Sequence, residues 1–113
     1  MPFIDVRVAG KLSDSQKENL KSALGKAVSI IHKPESYLMV AISDDADLWF
    51  AGKKRPDGAF VAVSLYGSAS SQDYSRMTAE ITRILTGDYG VDGGALYVTY
   101  TPVSDWGWNG SNF

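Results

Sequence analysis

Pro2 is the residue whose chemistry is least ordinary in this chain. It follows the initiator Met1, and methionine is removed when the second residue is small, as proline is. Removal leaves a secondary amine, which is both a base and a nucleophile. Desolvation or a neighbouring cation favours the neutral form of such an amine, and an amine that is neutral near physiological pH is a competent general base. Taken alone, Pro2 reads as an ordinary N-terminal residue with no role. Other chemistry is sparse. The chain has no cysteine and one histidine, which excludes a disulfide framework, a thiol nucleophile and Cys-based metal chemistry, and argues against a His-based metal site. No phosphate loop of the G-x-x-x-x-G-K-[ST] kind occurs. Carboxylates are plentiful, but their spacing names no catalytic pair. No cofactor and no metal are expected.

Charge narrows the partners. Eleven Lys and Arg stand against thirteen Asp and Glu, a net charge of −2, so there is no basic field for nucleic acid. Lys53-Lys54-Arg55, before Pro56-Asp57-Gly58, reads as a solvated loop tip or as an anion-attracting rim. Lys33 follows a helical stretch and reads as a C-terminal cap favoured by the helix dipole. The N-terminus lacks the basic start and apolar run of a signal peptide. No stretch approaches the ~18 apolar residues of a membrane span. The expected location is the cytosol, with no membrane partner.

The elements that must hold these residues follow from periodicity. At 113 residues and 44% apolar, the chain suits one domain, 1–113. Phe3 to Val8 alternates and reads as a strand. Ser13 to Gln16 has the spacing of a capping box. Leu20, Leu24, Ala27, Val28 and Ile31 then share a helical face, and Pro34 is expected to stop the helix. Tyr37 to Ile42 reads as a strand, Ser43 to Asp47 as a turn, and Leu48 to Phe50 as a short strand. Phe60 to Leu65 is a further strand, Met77, Ile81, Ile84 and Leu85 a second helical stripe, and Leu96 to Tyr100 a last long strand.

The pattern repeats. Fifty-seven residues separate Phe3 from Phe60, Val6 from Val63, Leu20 from Met77 and Leu24 from Ile81; fifty-eight separate Leu38 from Leu96 and Val40 from Val98. Two β-α-β units are implied, each with a right-handed crossover. The expected fold is α+β: a four-stranded mixed sheet with two helices on one face. Phe3, Leu38, Val40, Val61, Val63, Leu96 and Val98 supply apolar material for both sheet faces, which argues for oligomerisation.

Several segments, in order, resemble the macrophage migration inhibitory factor family of the tautomerase superfamily. They are Pro2 opening a strand, His32-Lys33-Pro34, Tyr37-Leu38-Met39-Val40, Asp47 to Gly52, Leu96 to Tyr100, and the tail Trp106-Gly107-Trp108-Asn109-Gly110-Ser111-Asn112-Phe113. The tail is the sharpest, being similar to the family ending G-W-N-x-S-x-F. The resemblance implies a homotrimer and keto–enol tautomerisation of phenylpyruvate-like α-keto acids. Pro2 would be the base and Lys33 the carboxylate ligand. Tyr66 falls at a pocket position that is aliphatic in the family. Tyr97 would be delivered across the subunit boundary, and Trp108 and Phe113 would be aromatic walls. Tyr66, Tyr97, Trp108 and Phe113 read equally as packing aromatics, and Phe50 as packing near a subunit contact. Thr99 departs from the asparagine that many members carry, with a shorter reach. His32 stands where glycine is frequent, and reads as a surface or capping residue or as a group tuning the pocket. The C-x-x-C of the mammalian cytokine is absent, so redox activity attributed to it cannot apply. Two other readings stay open: a decarboxylase or dehalogenase on the same scaffold, with Arg7 or Arg55 as the added polar group, and a cytokine-like protein that is secreted non-classically and engages a host receptor.

Overall fold

The structure, a computed structural model, describes residues 1–113. Strand β1 is Pro2–Val8, helix α1 Asp14–Ala27, β2 Met39–Ser43, β3 Trp49–Phe50, β4 Lys53–Lys54, β5 Ala59–Tyr66, helix α2 Ser71–Asp88, β6 Leu96–Val103, β7 Gly107–Trp108 and β8 Ser111–Asn112. Short 3-10 turns fill Val28–Ile31, Glu35–Tyr37 and Gly93–Ala95. The four long strands form one sheet in the order β2-β1-β5-β6. β1 runs parallel to β2 and β5 parallel to β6, while the two units meet through the antiparallel β1–β5 pair. This is the mixed sheet of two β-α-β units that the repeat implies.

Local chemistry explains where the helices begin. Ser13 and Gln16 satisfy each other: the Gln16 N–H donates to Ser13 Oγ at 3.1 Å, and the Ser13 N–H donates to Gln16 Oε1 at 2.9 Å. Two of the four unpaired donors of a helix start are thereby covered. Ser70 caps α2 with a single such bond, its Oγ accepting from the Asp73 N–H at 3.1 Å. The helices bury Leu20 and Leu24 from α1, and Met77, Ile81, Ile84 and Leu85 from α2. These pack on Ile4, Val6, Val8, Val61, Val63 and Leu65 of the two central strands. Ile81 is fully covered. We expect Ile81→Ala to lose about 2–5 kcal/mol of stability, read in urea as a lower midpoint at unchanged slope.

Three expectations need correction. The first helix does not run to Pro34. Its α-helical part ends at Ala27, a 3-10 turn carries the stripe to Ile31, and His32 closes it with a left-handed backbone, φ 61. Tyr37 is not in a strand; it ends the 3-10 turn that Pro34 initiates. Lys53 and Lys54 are exposed, as a solvated tip requires, but they lie in strand and not in loop, pairing with Phe50 and Trp49 around an Ala51-Gly52 turn in which both residues have positive φ.

The sheet's outer face also differs from expectation. Val61 and Val63 belong to the helix-side core, and Leu38, Val40, Leu96 and Val98 pack against that core; of the residues assigned to two faces, only Phe3 lies on the open one. Strand alternation and register instead place Met39, Phe60, Tyr66 and Tyr97 there, with Asp5, Arg7, Ser64 and Thr99 between them. That face is a mixed surface, because the strong aliphatic residues follow the helix-side parity.

Candidate active site

The start of β1, the segment before β2 and the C-terminal hairpin meet at one end of the sheet. Between them lies a cavity of about 300 Å³ lined by Met1, Pro2, Tyr37, Met39, Trp106 and Trp108, among others. That volume is at the small end of ligand pockets. The hairpin owes its shape to Asn109-Gly110. Both residues have positive φ, 51 and 91, as a two-residue type I′ turn requires. The turn pairs Gly107 with Asn112 and Trp108 with Ser111, and the Phe113 N–H donates to the Trp106 carbonyl at 3.0 Å. The Trp108 and Phe113 rings are thereby stacked, with centroids 6.1 Å apart. Phe113 lies 5.6 Å from the Tyr66 ring, and Tyr37 meets Trp108 edge-on at 6.0 Å. The four rings form a continuous aromatic wall.

Lys33 does not cap its own helix. Its ammonium crosses to β5 and donates to the Tyr66 carbonyl at 2.7 Å. The next residue, Gly67, has φ +80, a conformation that glycine takes without strain, and even an added Cβ would sit 3.9 Å from Lys33 Nζ. The Tyr66 N–H in turn donates to the Met1 carbonyl at 2.9 Å. Tyr66 backbone therefore links Lys33 to the start of the chain. The electrostatic consequence is direct. Burial first, and the Lys33 charge second, hold the Met1 amine below the ordinary α-amino range. While Met1 is attached, the Pro2 nitrogen is an amide and has no useful basicity.

Of the residues singled out in the sequence, Pro2, Lys33, Tyr66, Trp108 and Phe113 come together at this end. Tyr97 and Thr99 do not. Tyr97 is opposite Phe60 and Thr99 opposite Ala62, whereas Pro2 is opposite Leu65. Five residues of strand separate the Pro2 and Tyr97 levels, about 17 Å. Tyr97 packs on Phe50 instead, with ring centroids 5.5 Å apart, yet remains 61% exposed, so one ring face is available to a neighbour. Arg55 is also elsewhere. It grips Asp57 through two nitrogens, at 2.9 and 3.2 Å, and Asp92 at 2.6 Å. Arg7 sits on the open face opposite Phe60 and Ser43. Neither arginine stands at Pro2 within the chain.

Tyr37 is the wall residue that sequence reasoning missed, because the segment was read as strand. A larger recess of about 420 Å³ lies between α1 and β2. Lys17 and Lys21 on its rim are paired with Asp44 and Glu18, and no group of unusual reactivity faces it. The Pro2 cavity is the better candidate on chemistry.

Comparison with known proteins agrees with this fold. The sequence profile described as macrophage migration inhibitory factor (MIF) matches residues 1–113. The chain is 32% identical over 96 residues to a macrophage migration inhibitory factor homolog of Trichuris trichiura, covering 83% of each protein. Among solved structures it is similar to Leishmania major MIF2, with a TM-score of 0.92 at 33% identity over 100% of this chain and 97% of that one. It is also similar to the macrophage migration inhibitory factor of Trichinella spiralis, with a TM-score of 0.85 at 26% identity over 98% and 99%.

Proposed function

This chain belongs to the macrophage migration inhibitory factor family, and from that premise we propose that it is a keto–enol tautomerase of phenylpyruvate-like α-keto acids, with Pro2 as the base once Met1 is removed. The observation that carries the reading is the meeting of Pro2, the Lys33 cation and the aromatic wall at one end of the sheet. Pro2 is buried while Met1 is only half-buried. The two causes that depress the Met1 amine are burial and the Lys33 charge; on a freed Pro2 amine at the same end of the sheet both are expected to favour the neutral form.

The steps follow from these positions. Neutral Pro2 takes a proton from the carbon beside the substrate carbonyl. The electron pair moves onto the carbonyl oxygen, which takes the proton back from the protonated Pro2 to give the enol and restore the neutral base; the reverse path gives the ketone. Lys33 holds the carboxylate and fixes that carbon against Pro2, a proximity effect. Trp108, Phe113, Tyr66 and Tyr37 receive the ring and exclude water, which strengthens each polar contact. Tyr97 and Thr99 enter the site from a neighbouring subunit of a homotrimer. The distance along the sheet supports that role, because their own Pro2 is out of reach.

The test is the pH dependence of kcat/KM for phenylpyruvate with Met1-free protein. The free-enzyme pKa of Pro2 sets the acid limb. If burial and Lys33 lower that pKa as they lower the Met1 amine, activity is retained at neutral pH and lost as pH falls through it. A limb in the ordinary range of an exposed secondary amine, leaving little neutral base at pH 7, contradicts the reading.

A further inference from the structure

The turn that delivers Lys33 is closed by an unusual residue. The His32 N–H donates to the Ser29 carbonyl at 2.9 Å and the Lys33 N–H to the Val28 carbonyl at 3.3 Å. This pair of bonds is a Schellman turn, whose left-handed position is normally glycine because a Cβ is disfavoured there. His32 occupies it with φ 61 and ψ 35. Its side chain is 72% exposed, yet its Nε2 lies 2.8 Å from Asp73 Oδ2. A carboxylate only accepts, so Nε2–H is the donor. Asp73 is itself well fixed: its N–H is held by Ser70 Oγ, its Oδ1 accepts from Arg76 at 3.3 Å, and its side chain is only 18% exposed. The bond crosses from the turn after α1 to the first turn of α2, and so ties the two β-α-β units together beside Lys33.

We propose that Asp73 is a positioning residue for the carboxylate-binding site, acting through His32: it clamps a left-handed turn that a histidine holds less readily than glycine, and so keeps Lys33 aimed at Tyr66 and the Pro2 cavity. The inference rests on Lys33 being the carboxylate ligand. An exposed ion pair alone contributes little to stability, which separates this role from a merely structural one. If Asp73 serves only to hold the turn, glycine at position 32 removes the need for it.

Kinetics on phenylpyruvate and amide hydrogen exchange at Lys33, both with Met1-free protein, test this. Asp73→Ala is expected to raise KM roughly tenfold with kcat little changed, since misplacing a contact group by about 1 Å can be worth up to about a hundredfold. It is also expected to speed exchange of the Lys33 amide. Asp73→Asn, whose amide oxygen still accepts from His32, is expected to stay near wild type. The double variant His32→Gly/Asp73→Ala is expected to regain both the low KM and the slow exchange. Wild-type values in Asp73→Ala, or no recovery in the double variant, overturn the proposal; the latter result assigns the Asp73 carboxylate to its contact with Arg76 within α2. If the wild type lacks tautomerase activity, the functional reading fails by itself, and the exchange measurements still decide whether Asp73 holds the turn.

Discussion

Pro2→Gly lowers the kcat/KM of the processed protein for phenylpyruvate by about two to four orders of magnitude, the usual worth of a positioned general base. Glycine leaves a primary amine on a more flexible residue, so a residual rate remains, but the base loses its fixed direction. The fold survives. Pro2 lies at the first position of β1, and its ring nitrogen donates no ladder hydrogen bond to lose. Protein that retains Met1 behaves like the mutant, because acylation removes the basic lone pair altogether. Intact mass, circular dichroism and steady-state kinetics on the three samples check this. Equal rates in all three would place the chemistry on another residue.

Lys33→Met produces the second large effect, and it has two separable parts. A charge-assisted hydrogen bond is worth roughly 1.5–3 kcal/mol, so loss of carboxylate binding lowers kcat/KM by about tenfold to a hundredfold. The charge also acts on the amine. Without the cation the protonated form of Pro2 is less disfavoured, its pKa rises, and the acid limb of the profile moves to higher pH. A ketone substrate without a carboxylate distinguishes the parts: its KM is unaffected while the limb still moves. A variant that changes neither KM nor the limb would leave Lys33 with only its structural bond to Tyr66.

The fold was largely legible because its repeat is a repeat of burial. Ile4 pairs with Val40 and Val61 with Val98, so the change of spacing from fifty-seven to fifty-eight residues between the units was a true feature of strand register. Ser13-x-x-Gln16 announced the start of α1 through a bond pair that is entirely local. The failures share a cause: they lie where conformation is set by tertiary contacts or by single backbone angles. Val28 to Ile31 keeps its apolar spacing while the hydrogen bonding tightens to 3-10. Tyr37 leaves the strand because the turn begun at Pro34 holds it against Trp108. The open face was misread because the apolar residues counted for it follow the other parity.

The site was legible unevenly. Pro2 stood out by its own chemistry, but its role and that of Lys33 came from the resemblance, since nothing in periodicity brings residue 33 to the chain start. The contact runs through Tyr66 backbone, which only the topology supplies. Asn109-Gly110 is a local signal for the hairpin that sets Trp108 and Phe113, and its meaning lay in the dipeptide rather than in the tail's composition. Tyr97 and Thr99 are the converse case, being on the right face but at the wrong level for their own Pro2. His32 could be read as a capping residue, but its partner forty-one positions away, Asp73, could not.

The most direct test of the central claim is a nitrogen-15 NMR titration of Pro2 in Met1-free protein, set beside the acid limb of kcat/KM. One midpoint is expected in both, below the ordinary value for a secondary amine, with Pro2 neutral at pH 7. A Pro2 that stays protonated through neutrality, or a limb that does not coincide with its titration, would contradict it.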